Sequence, residues 1–258
     1  MMKRLVLHAV AVAGAALSLV GCGGGGERPN VVLVVVDSLR ADALGGEPSA
    51  SRAIDRLAEE GVRFERAVAP ASWNLPSVSS LVTSTPPWVH GQGAPASGAG
   101  EIATLAETFA AAGYRTGAFT EMAWPLLQRG FETFQNTAFK HTFGDPESNS
   151  AAPTLQAALE WAQQDDSKPF FLVVHTYEVH SYFLGKPRHH ERARAEQPAY
   201  EGPFREWAIR DLSQPAGPQV IEALLQANDD DLAYVRSLYR GAVAEVDAEV
   251  GRCLLYTS

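Results

Sequence analysis

Cysteine is almost absent from this chain, since only Cys22 and Cys253 occur among its 258 residues. Two cysteines allow at most one intrachain disulfide. Positive charge is also sparse: 21 Lys and Arg stand against 30 Asp and Glu, which gives a net charge of −9. No basic stripe is present. Because nucleic acids are bound mainly through clustered Lys and Arg, no nucleic-acid partner is expected.

The composition is that of a globular protein, with 46% hydrophobic and 20% charged residues. The length suits one large domain or two small ones, and it permits a sizeable core. The sequence contains no internal repeat, so a repeat architecture is not expected.

Residues 1–22 have the layout of a secretory signal, with a short basic start, an apolar stretch at 5–21 and small residues at its end. The ending LVGC resembles the lipobox of bacterial lipoproteins, in which the cysteine is lipidated and becomes the first residue. Residues 23–29 begin with four glycines and predict a flexible tether. A transmembrane anchor is the alternative, although the apolar stretch is short for a span of about 20 residues.

A lipidated Cys22 places the protein in the bacterial cell envelope, held to a membrane by its lipid anchor. One acyl chain binds only marginally, whereas several chains hold firmly. Gly23 follows the cysteine where an Asp would favour the inner membrane, so the outer membrane is expected in a cell that has two. Acylation of Cys22 leaves Cys253 without an intrachain disulfide partner.

After the tether, apolar runs alternate with helical patterns. The runs at 31–36 and 169–177 are typical of strands buried on both faces, and 114–120 predicts a third strand. Helices are predicted over 49–61, 103–113, 153–164 and 229–252, two of them stopped by a glycine. Strands alternating with helices predict an α/β fold with a mostly parallel sheet covered by helices on both faces.

The first strand ends on a carboxylate, Asp37, and the strand at 169–177 leads to His180. In parallel sheets of this kind, ligands sit beyond the carboxyl ends of the strands. A carboxylate in that dry setting needs a partner, and a hard cation such as Ca²⁺ or Mg²⁺ would suit it. Asp37 could equally accept backbone N–H bonds from the following turn as a helix cap.

Four stretches of the chain, in order, resemble the sulfatase family of the alkaline-phosphatase superfamily. The stretch at 29–42, PNVVLVVVDSLRAD, is similar to the family's opening strand. The stretch at 69–91 resembles the nucleophile loop and its helix, and 168–183 resembles the strand that leads to a sulfate-contacting histidine. Residues 232–255 look like the helix before the second metal-binding strand. No single match is specific, but together they cover nearly the whole chain after the tether.

The resemblance implies an alkaline-phosphatase-like fold, with residues 30–252 as the N-terminal portion of a sulfatase-like domain. It implies a divalent-metal site for Ca²⁺ or Mg²⁺ at Asp37 and Ser38, incomplete in this chain. The implied substrate is an anionic ester, such as a sulfated glycan, and the implied reaction is hydrolysis of a sulfuric ester.

The resemblance also assigns roles to individual residues. Asn74 falls at the catalytic nucleophile position. Ser77 falls at a substrate-binding place. His180 takes the place of the family's histidine that contacts the sulfate, with a catalytic role.

Several positions depart from the family pattern. Asn74 stands where the family has an oxidised Cys or Ser, or a Thr or Ser, and an amide is not a nucleophile. Val78 replaces a usual arginine, Ser38 replaces a usual second aspartate, and 115–124 lacks the lysine and histidine that many sulfatases use on the leaving group. Asn74 could instead bind a metal through its amide oxygen, or start a turn before Pro76.

Nearby hydroxyls offer alternatives to the missing nucleophile. Ser72, Ser77 and Ser79 could each stand in, although serines at helix starts usually act as caps.

The histidines have alternatives too. His180 is either a substrate contact or a neutral histidine at the edge of the core. His175 is expected to pair with polar groups of neighbouring strands, and His90 is expected to serve packing or a turn. Residues 189–194, HHERAR, are predicted to form a solvated insertion.

Residues 253–258, CLLYTS, match the translation of the transposon mosaic-end adapter used in DNA library preparation. We expect this tail to be non-native and the natural chain to continue, because the residues that complete the family's metal site follow the last helix. A native ending is the alternative. A chain cut there would leave the sheet unfinished, with an exposed apolar edge.

Two functions from different classes fit these observations. The first is a metal-dependent hydrolase of sulfate esters, or a phosphoester hydrolase or transferase of the same superfamily, although we expect the chain as it stands to be inactive. The second is a non-catalytic surface lipoprotein that keeps the fold and has lost the chemistry. Asn74 and Val78 favour the second function, and the family resemblance favours the first.

Overall fold

The computed structural model describes residues 28–46, 48–93, 102–122, 125–137, 150–165, 167–180, 182–184, 186–206 and 218–255. The predicted signal segment with Cys22, and most of the predicted tether, lie outside the described residues. Residues 256–258 of the predicted tail also lie outside them. Within the described part of the chain, no helix is both long and apolar enough to cross a membrane.

A parallel four-stranded sheet lies at the centre of the fold. Its strands are β1 (Val31–Val36), β2 (Arg115–Thr120), β3 (Thr133–Asn136) and β4 (Phe170–Thr176). The order across the sheet is β1-β4-β2-β3, and each neighbouring pair is parallel. The three predicted strands are confirmed. β3 was not predicted because its four residues, TFQN, carry no apolar run.

Helices surround the sheet. The helices described are α1 (Arg52–Glu60), α2 (Asn74–Thr83), α3 (Pro87–His90), α4 (Leu105–Ala111), α5 (Pro125–Gln128), α6 (Ala151–Ala162), α7 (Pro187–Glu196), α8 (Pro218–Leu225) and α9 (Asp229–Leu255). The predicted helices correspond to α1, α4, α6 and α9 and are confirmed. Gly113 follows α4 with a φ of 83°, a left-handed conformation that glycine adopts without steric cost.

The central strand β4 divides its apolar side chains between two cores. Phe170, Leu172 and Val174 pack with α6 and α9 on one face of the sheet. Phe171 and Val173 pack with α2, α4 and α5 on the other face. Successive strand residues point to opposite faces, so a continuous apolar run serves both cores. The predicted α/β architecture with helices on both faces is confirmed.

The prediction that β1 is buried on both faces is wrong for the described residues. Val32 and Val34 are 48% and 37% exposed, whereas Val31 and Leu33 pack against the core that contains α2. The reason is position in the sheet: β1 is an edge strand that pairs with β4 alone among the described strands. The sequence shows how apolar a strand is, but the tertiary structure decides how many neighbours cover it.

The prediction of a solvated insertion at 189–194 is also wrong. These residues lie in α7, which packs against α9. His189 and His190 are buried. A polar sequence is buried here because its polar atoms find partners, which removes most of the desolvation cost.

The main partner is the buried carboxylate of Glu178. Its Oε1 lies 2.8 Å from His189 Nε2, and its Oε2 lies 2.8 Å from Lys186 Nζ. All three side chains are at most 2% exposed. Burial alone would raise the pKa of Glu178, but the contacts with His189 and Lys186 lower it to about 2.

The long helix α9 ties the end of the chain to its beginning. Asn228 caps it, because the Asn228 side chain accepts from Asp231 N while the Asp231 side chain accepts from Asn228 N. Further along α9, the Tyr239 hydroxyl donates to Ser38 O at 2.7 Å and accepts from Arg40 N at 2.9 Å. The turn that follows β1 is therefore held in place by α9.

Candidate functional site

Asp37 lies at the carboxyl end of β1, with its backbone N–H bonded to Thr176 O of β4. The Ser38 hydroxyl donates to Asp37 Oδ1 at 2.8 Å. His175 Nε2 lies 3.6 Å from Asp37 Oδ2. The parallel sheet brings these residues together because β1 and β4 end at the same edge.

Asn74 is the first residue of α2, and its side chain faces Asp37. The amide Nδ2 donates to Asp37 Oδ2 and to the Tyr177 hydroxyl, the latter at 2.8 Å. Trp73 before it is extended, and no side chain caps the helix. The N-terminus of α2 therefore meets the carboxyl ends of β1 and β4.

Ser38 adopts a left-handed conformation, with a φ of 59°. For a residue with a side chain this conformation costs about 1 kcal/mol. Its two contacts, the hydroxyl to Asp37 and the carbonyl to Tyr239, hold the turn in this shape. Strained residues of this kind persist only where the surrounding structure fixes them.

The pKa of Asp37 is lowered below its usual value. Burial raises it, but the contacts with His175 and the Ser38 hydroxyl, with a smaller contribution from His180, outweigh that effect. Asp37 is therefore a carboxylate at neutral pH and can bind a cation or a hydrogen-bond donor.

Tyr177 joins the predicted residues to one another. Its ring centroid lies 5.0 Å from that of His175 and 5.2 Å from that of His180. His175 is buried, and its Nδ1 lies 3.2 Å from Thr120 Oγ1 of the neighbouring strand β2. His180 is half-buried in the loop beyond β4.

A cavity of ≈ 810 Å³ adjoins these residues. Asp37, Ser38, Asn74 and Ser77 all line it, whereas His180 is not among its lining residues. The structure thus brings four of the five predicted site residues of the described chain onto one cavity. His180 is linked to them through Tyr177.

Ser79 and Ser80 of α2 gain no activating base from the residues that the structure describes. Ser80 Oγ lies 2.9 Å from His90 Nε2, but His90 Nδ1 accepts from Gln92 N at 3.0 Å. Since Nδ1 is the acceptor, Nε2 carries the proton and donates to Ser80, so His90 cannot take the Ser80 proton. Ser79 is buried, and its hydroxyl has no hydrogen-bond partner among the described residues.

The oxygen atoms at this edge are of the type that hard cations bind. Asp37 offers a carboxylate, Ser38 a hydroxyl and Asn74 an amide oxygen. However, across the described ranges no group of three or more His, Cys, Asp or Glu side chains is placed to hold a metal ion. Because Ca²⁺ takes six to eight oxygen ligands, these residues supply only part of a ligand set.

Sequence reasoning missed two residues that support the candidate site, Tyr177 and Glu121. Tyr177 carries no motif, and its position just beyond β4 was the only signal. Glu121, just beyond β2, is 2% exposed and accepts hydrogen bonds from Tyr177 N and from the hydroxyls of Thr154 and Thr176. Burial, with a smaller contribution from the charge of Glu178, raises the pKa of Glu121 to about 7. Glu121 thus fixes the backbone that presents Tyr177.

The fold and site define an α/β protein whose polar residues gather at the carboxyl ends of a parallel sheet. The family model described as Sulfatase matches residues 29–256, and the chain belongs to this family. An arylsulfatase of Clostridium perfringens is 22% identical over 289 residues, which cover 90% of this chain and 60% of that protein. The chain therefore spans less than two thirds of the length of this relative.

Solved structures share the fold. One, described as a complex with its substrate D-glucosamine-2-N,6-O-disulfate, matches with a TM-score of 0.63 and 18% identity, covering 89% of this chain and 62% of that chain. The phosphonate monoester hydrolase of Agrobacterium radiobacter matches with a TM-score of 0.60 and 19% identity, covering 90% of this chain and 60% of that chain. The predicted alkaline-phosphatase-like architecture is confirmed by these neighbours.

Proposed function

We propose that this chain carries the anion-recognition part of a metal-dependent hydrolase that acts on sulfate esters of glycans. The observation that carries the proposal is the meeting of Asp37 and Asn74 on the wall of the ≈ 810 Å³ cavity. The N-terminus of α2 opens at the same place, and its free N–H groups and helix dipole favour an anion such as a sulfate group. Sulfated substrates of the family relatives support the choice of substrate class.

In the proposal, Asp37 and Ser38 are ligands of a Ca²⁺ or Mg²⁺ ion in the full-length protein. Their oxygen chemistry supports this role. Asn74 turns its amide nitrogen toward Asp37, so its oxygen would join the ligand set only after the amide rotates. When bound, such an ion would neutralise the negative charge of the ester. The described residues do not complete the ligand set, so the steps below concern only the side chains of this chain.

His180 and Ser77 are proposed to bind the sulfate oxygens by hydrogen bonds. Asn74 cannot form a covalent intermediate, because the lone pair of an amide nitrogen is delocalised into its carbonyl. We therefore propose that water attacks the sulfur directly. As the water oxygen bonds to sulfur, the bond from sulfur to the leaving oxygen breaks, and that oxygen keeps the electron pair and receives a proton, for which His180 is the proposed donor. The attacking water gives up one proton, which restores the proton on His180, and the sulfate group leaves as hydrogen sulfate, which ionises in water.

One observation favours the second candidate, a non-catalytic sulfated-glycan-binding lipoprotein. The Asn74 amide is held between Asp37 and Tyr177, so the nucleophile position is filled by an inert group with satisfied hydrogen bonds. A lipid anchor at Cys22 and a place on the outer membrane belong to both proposals. A phosphoester or phosphonate substrate is a further variant, supported by the phosphonate monoester hydrolase neighbour.

The test is hydrolysis of 4-nitrophenyl sulfate, 4-nitrophenyl phosphate and a phenylphosphonate ester by the full-length protein, with Ca²⁺, with Mg²⁺ and with a chelator. The hydrolase proposal expects metal-dependent turnover that Asp37→Asn abolishes. Glu60→Gln, which removes an exposed carboxylate from α1, is the matched control and should retain turnover. Binding of a sulfated oligosaccharide without any turnover would establish the second candidate instead.

A further inference from the structure

A second pocket, of ≈ 460 Å³, is lined in part by residues that follow Asp37, namely Arg40, Asp42 and Ala43. Its walls include three arginines and two tyrosines: Arg40, Arg236, Arg240, Tyr182 and Tyr239. We propose that this pocket binds a second anionic substituent, a sulfate or carboxylate, of the glycan substrate. The inference rests on the proposed function and narrows it, because the substrate then carries at least two anionic groups.

The charge of the pocket is unusual for this acidic chain. Asp42 is the only acidic residue in its lining, against the three arginines. Arg40 pairs with Asp42. Arg236 is exposed and has no hydrogen bond or ion pair with any residue that the structure describes. One arginine therefore offers its guanidinium to a ligand without first breaking an internal contact.

Arg240 is only partly engaged. Its Nη2 donates to Pro48 O at 2.6 Å, which anchors the side chain. Its Nε is buried, lies 3.8 Å from Glu196 Oε2 and makes no hydrogen bond with the described residues. Arginine is the side chain best suited to sulfate and carboxylate groups, because its planar fork of donors matches two oxygens at once.

The pocket is connected to the candidate site through the backbone. Tyr239 bonds both Ser38 O and Arg40 N, so one pocket wall is fixed to the turn that carries Asp37. Ser38 and Arg40 are two residues apart, which places their Cα atoms within about 7 Å of each other. In the proposal, a ligand with two anionic groups on neighbouring sugar units contacts both places.

A row of aromatic rings joins the candidate site to the pocket, and its first ring, Tyr177, is buried. The later rings are partly exposed, and flat aromatic faces pack well against the C–H faces of sugar rings, which distinguishes a glycan from free sulfate. Successive ring centroids in this row are 5.2, 6.2, 5.4 and 5.4 Å apart, in the order Tyr177, His180, Phe183, Tyr182 and Tyr239.

The experiment is calorimetric titration of the full-length protein with a polysulfated heparin tetrasaccharide and with the same tetrasaccharide after complete desulfation. The inference expects binding of the sulfated form that weakens about tenfold in Arg236→Gln, and further in the Arg236→Gln/Arg240→Gln double variant. Arg236→Gln alone keeps the test valid if the double variant fails to fold, because Arg236 is exposed.

The matched control is the Arg56→Gln/Arg63→Gln double variant, which removes the same charge from exposed residues outside the pocket. It should bind the tetrasaccharide within about twofold of the unsubstituted protein, since distant exposed charges are screened by salt. Equal weakening in both double variants would mean that only net charge matters and would overturn the inference. Unchanged binding in Arg236→Gln would overturn it as well.

Two further measurements distinguish this inference from binding to a membrane surface and from the hydrolase proposal. Arginine-dependent binding to phosphatidylglycerol vesicles, with no such dependence for the tetrasaccharide, would assign the pocket to a membrane surface and overturn the inference. Aryl sulfate turnover by the unsubstituted protein tests the hydrolase proposal separately. Arginine-dependent tetrasaccharide binding in a protein without turnover would uphold the pocket and reject the hydrolase.

Discussion

The side-chain amide of Asn74 donates a hydrogen bond to the carboxylate of Asp37, 37 residues earlier in the chain. Asp37 ends the edge strand β1, and Asn74 begins α2, so this contact joins a sheet edge to a helix N-terminus. Asn74, the residue predicted to stand at the nucleophile position, is thus held by Asp37, the residue predicted to bind the metal.

Asn74→Thr should raise the turnover of aryl phosphate or aryl sulfate by the full-length protein about tenfold or more. The substitution places a hydroxyl beside Asp37 at the start of α2, where a nucleophile can form a covalent intermediate. Turnover and the mass of the trapped intermediate are the measurements. Asn74→Val is the control, because valine has the shape of threonine but lacks its hydroxyl. Equal turnover rates for Asn74→Thr and Asn74→Val would contradict the prediction.

Glu121 should make the protein less stable as the pH rises from about 4.5 to about 7. Its pKa is about 7 in the folded protein against an ordinary value of 4.5, so the folded state binds the proton more tightly than the unfolded state over this range. The unfolding free energy should fall by about 3 kcal/mol across this window and then level off.

Urea unfolding between pH 4 and pH 8 measures this effect. Glu121→Gln cannot ionise, so its unfolding free energy should lack this decline. Glu160→Gln replaces an exposed carboxylate of α6, and its unfolding free energy should still decline as the pH rises. A decline of the same size in Glu121→Gln would show that another group is responsible.

Lys186→Met should destabilise the protein by about 3–5 kcal/mol, because it removes the lysine that pairs with the buried Glu178 carboxylate and leaves His189 as the remaining side chain of this pairing. Adding Glu178→Gln should recover part of that loss, which a double-mutant cycle at neutral pH would measure. Lys168→Met changes an exposed lysine and should have little effect. If the two lysine variants unfold at the same urea concentration, the buried contact contributes nothing.

The contacts of Glu178 with Lys186 and His189 also predict that the protein loses stability in acid. The pKa of Glu178 is lowered to about 2 from an ordinary value of 4.5. The stability it contributes is present above pH 4.5 and is lost as the pH falls towards 2. Glu178→Gln should flatten this acid limb of the stability profile.

Ser84→Gly should stabilise the protein by about 1 kcal/mol, because Ser84 ends α2 in a left-handed conformation that glycine adopts at less cost. Its φ is 55°. Gly113→Ala is the reverse change at a φ of 83°, where a Cβ would have room, since its nearest neighbours lie 3.8 and 3.9 Å away. It should destabilise by a similar amount. Thermal unfolding checks both, and the same sign for both variants would refute the conformational argument.

The sequence predicted much of the fold correctly because long apolar runs and helical periodicity are local signals. The runs that form β1 and β4, and the helices α1, α4, α6 and α9, were readable in this way. β3 and the short helix α5 were not, since four residues are too few to show a period. The polar helix α7 was misread because its burial depends on the contact of His189 with Glu178 and on packing against α9, neither of which the local pattern shows.

The candidate site was predictable in part. Asp37, Ser38, Asn74 and Ser77 were chosen from the strand end and the family resemblance, and they do line one cavity. Tyr177 and Glu121 were not chosen, because their importance lies in contacts with residues at least 50 positions away. The roles of the chosen residues in binding and chemistry stay predictions.

The sequence by itself determined the α/β class and the family, because these depend on residue type and order along the chain, and it places an amide, Asn74, where the family resemblance predicts the nucleophile. Only the tertiary structure decided that β1 is an edge strand, that Asn74 is held between Asp37 and Tyr177, and that three arginines share a pocket with two tyrosines. The physical reason is that burial and pairing are properties of the neighbours that folding brings together, and residues far apart in sequence supply most of those neighbours.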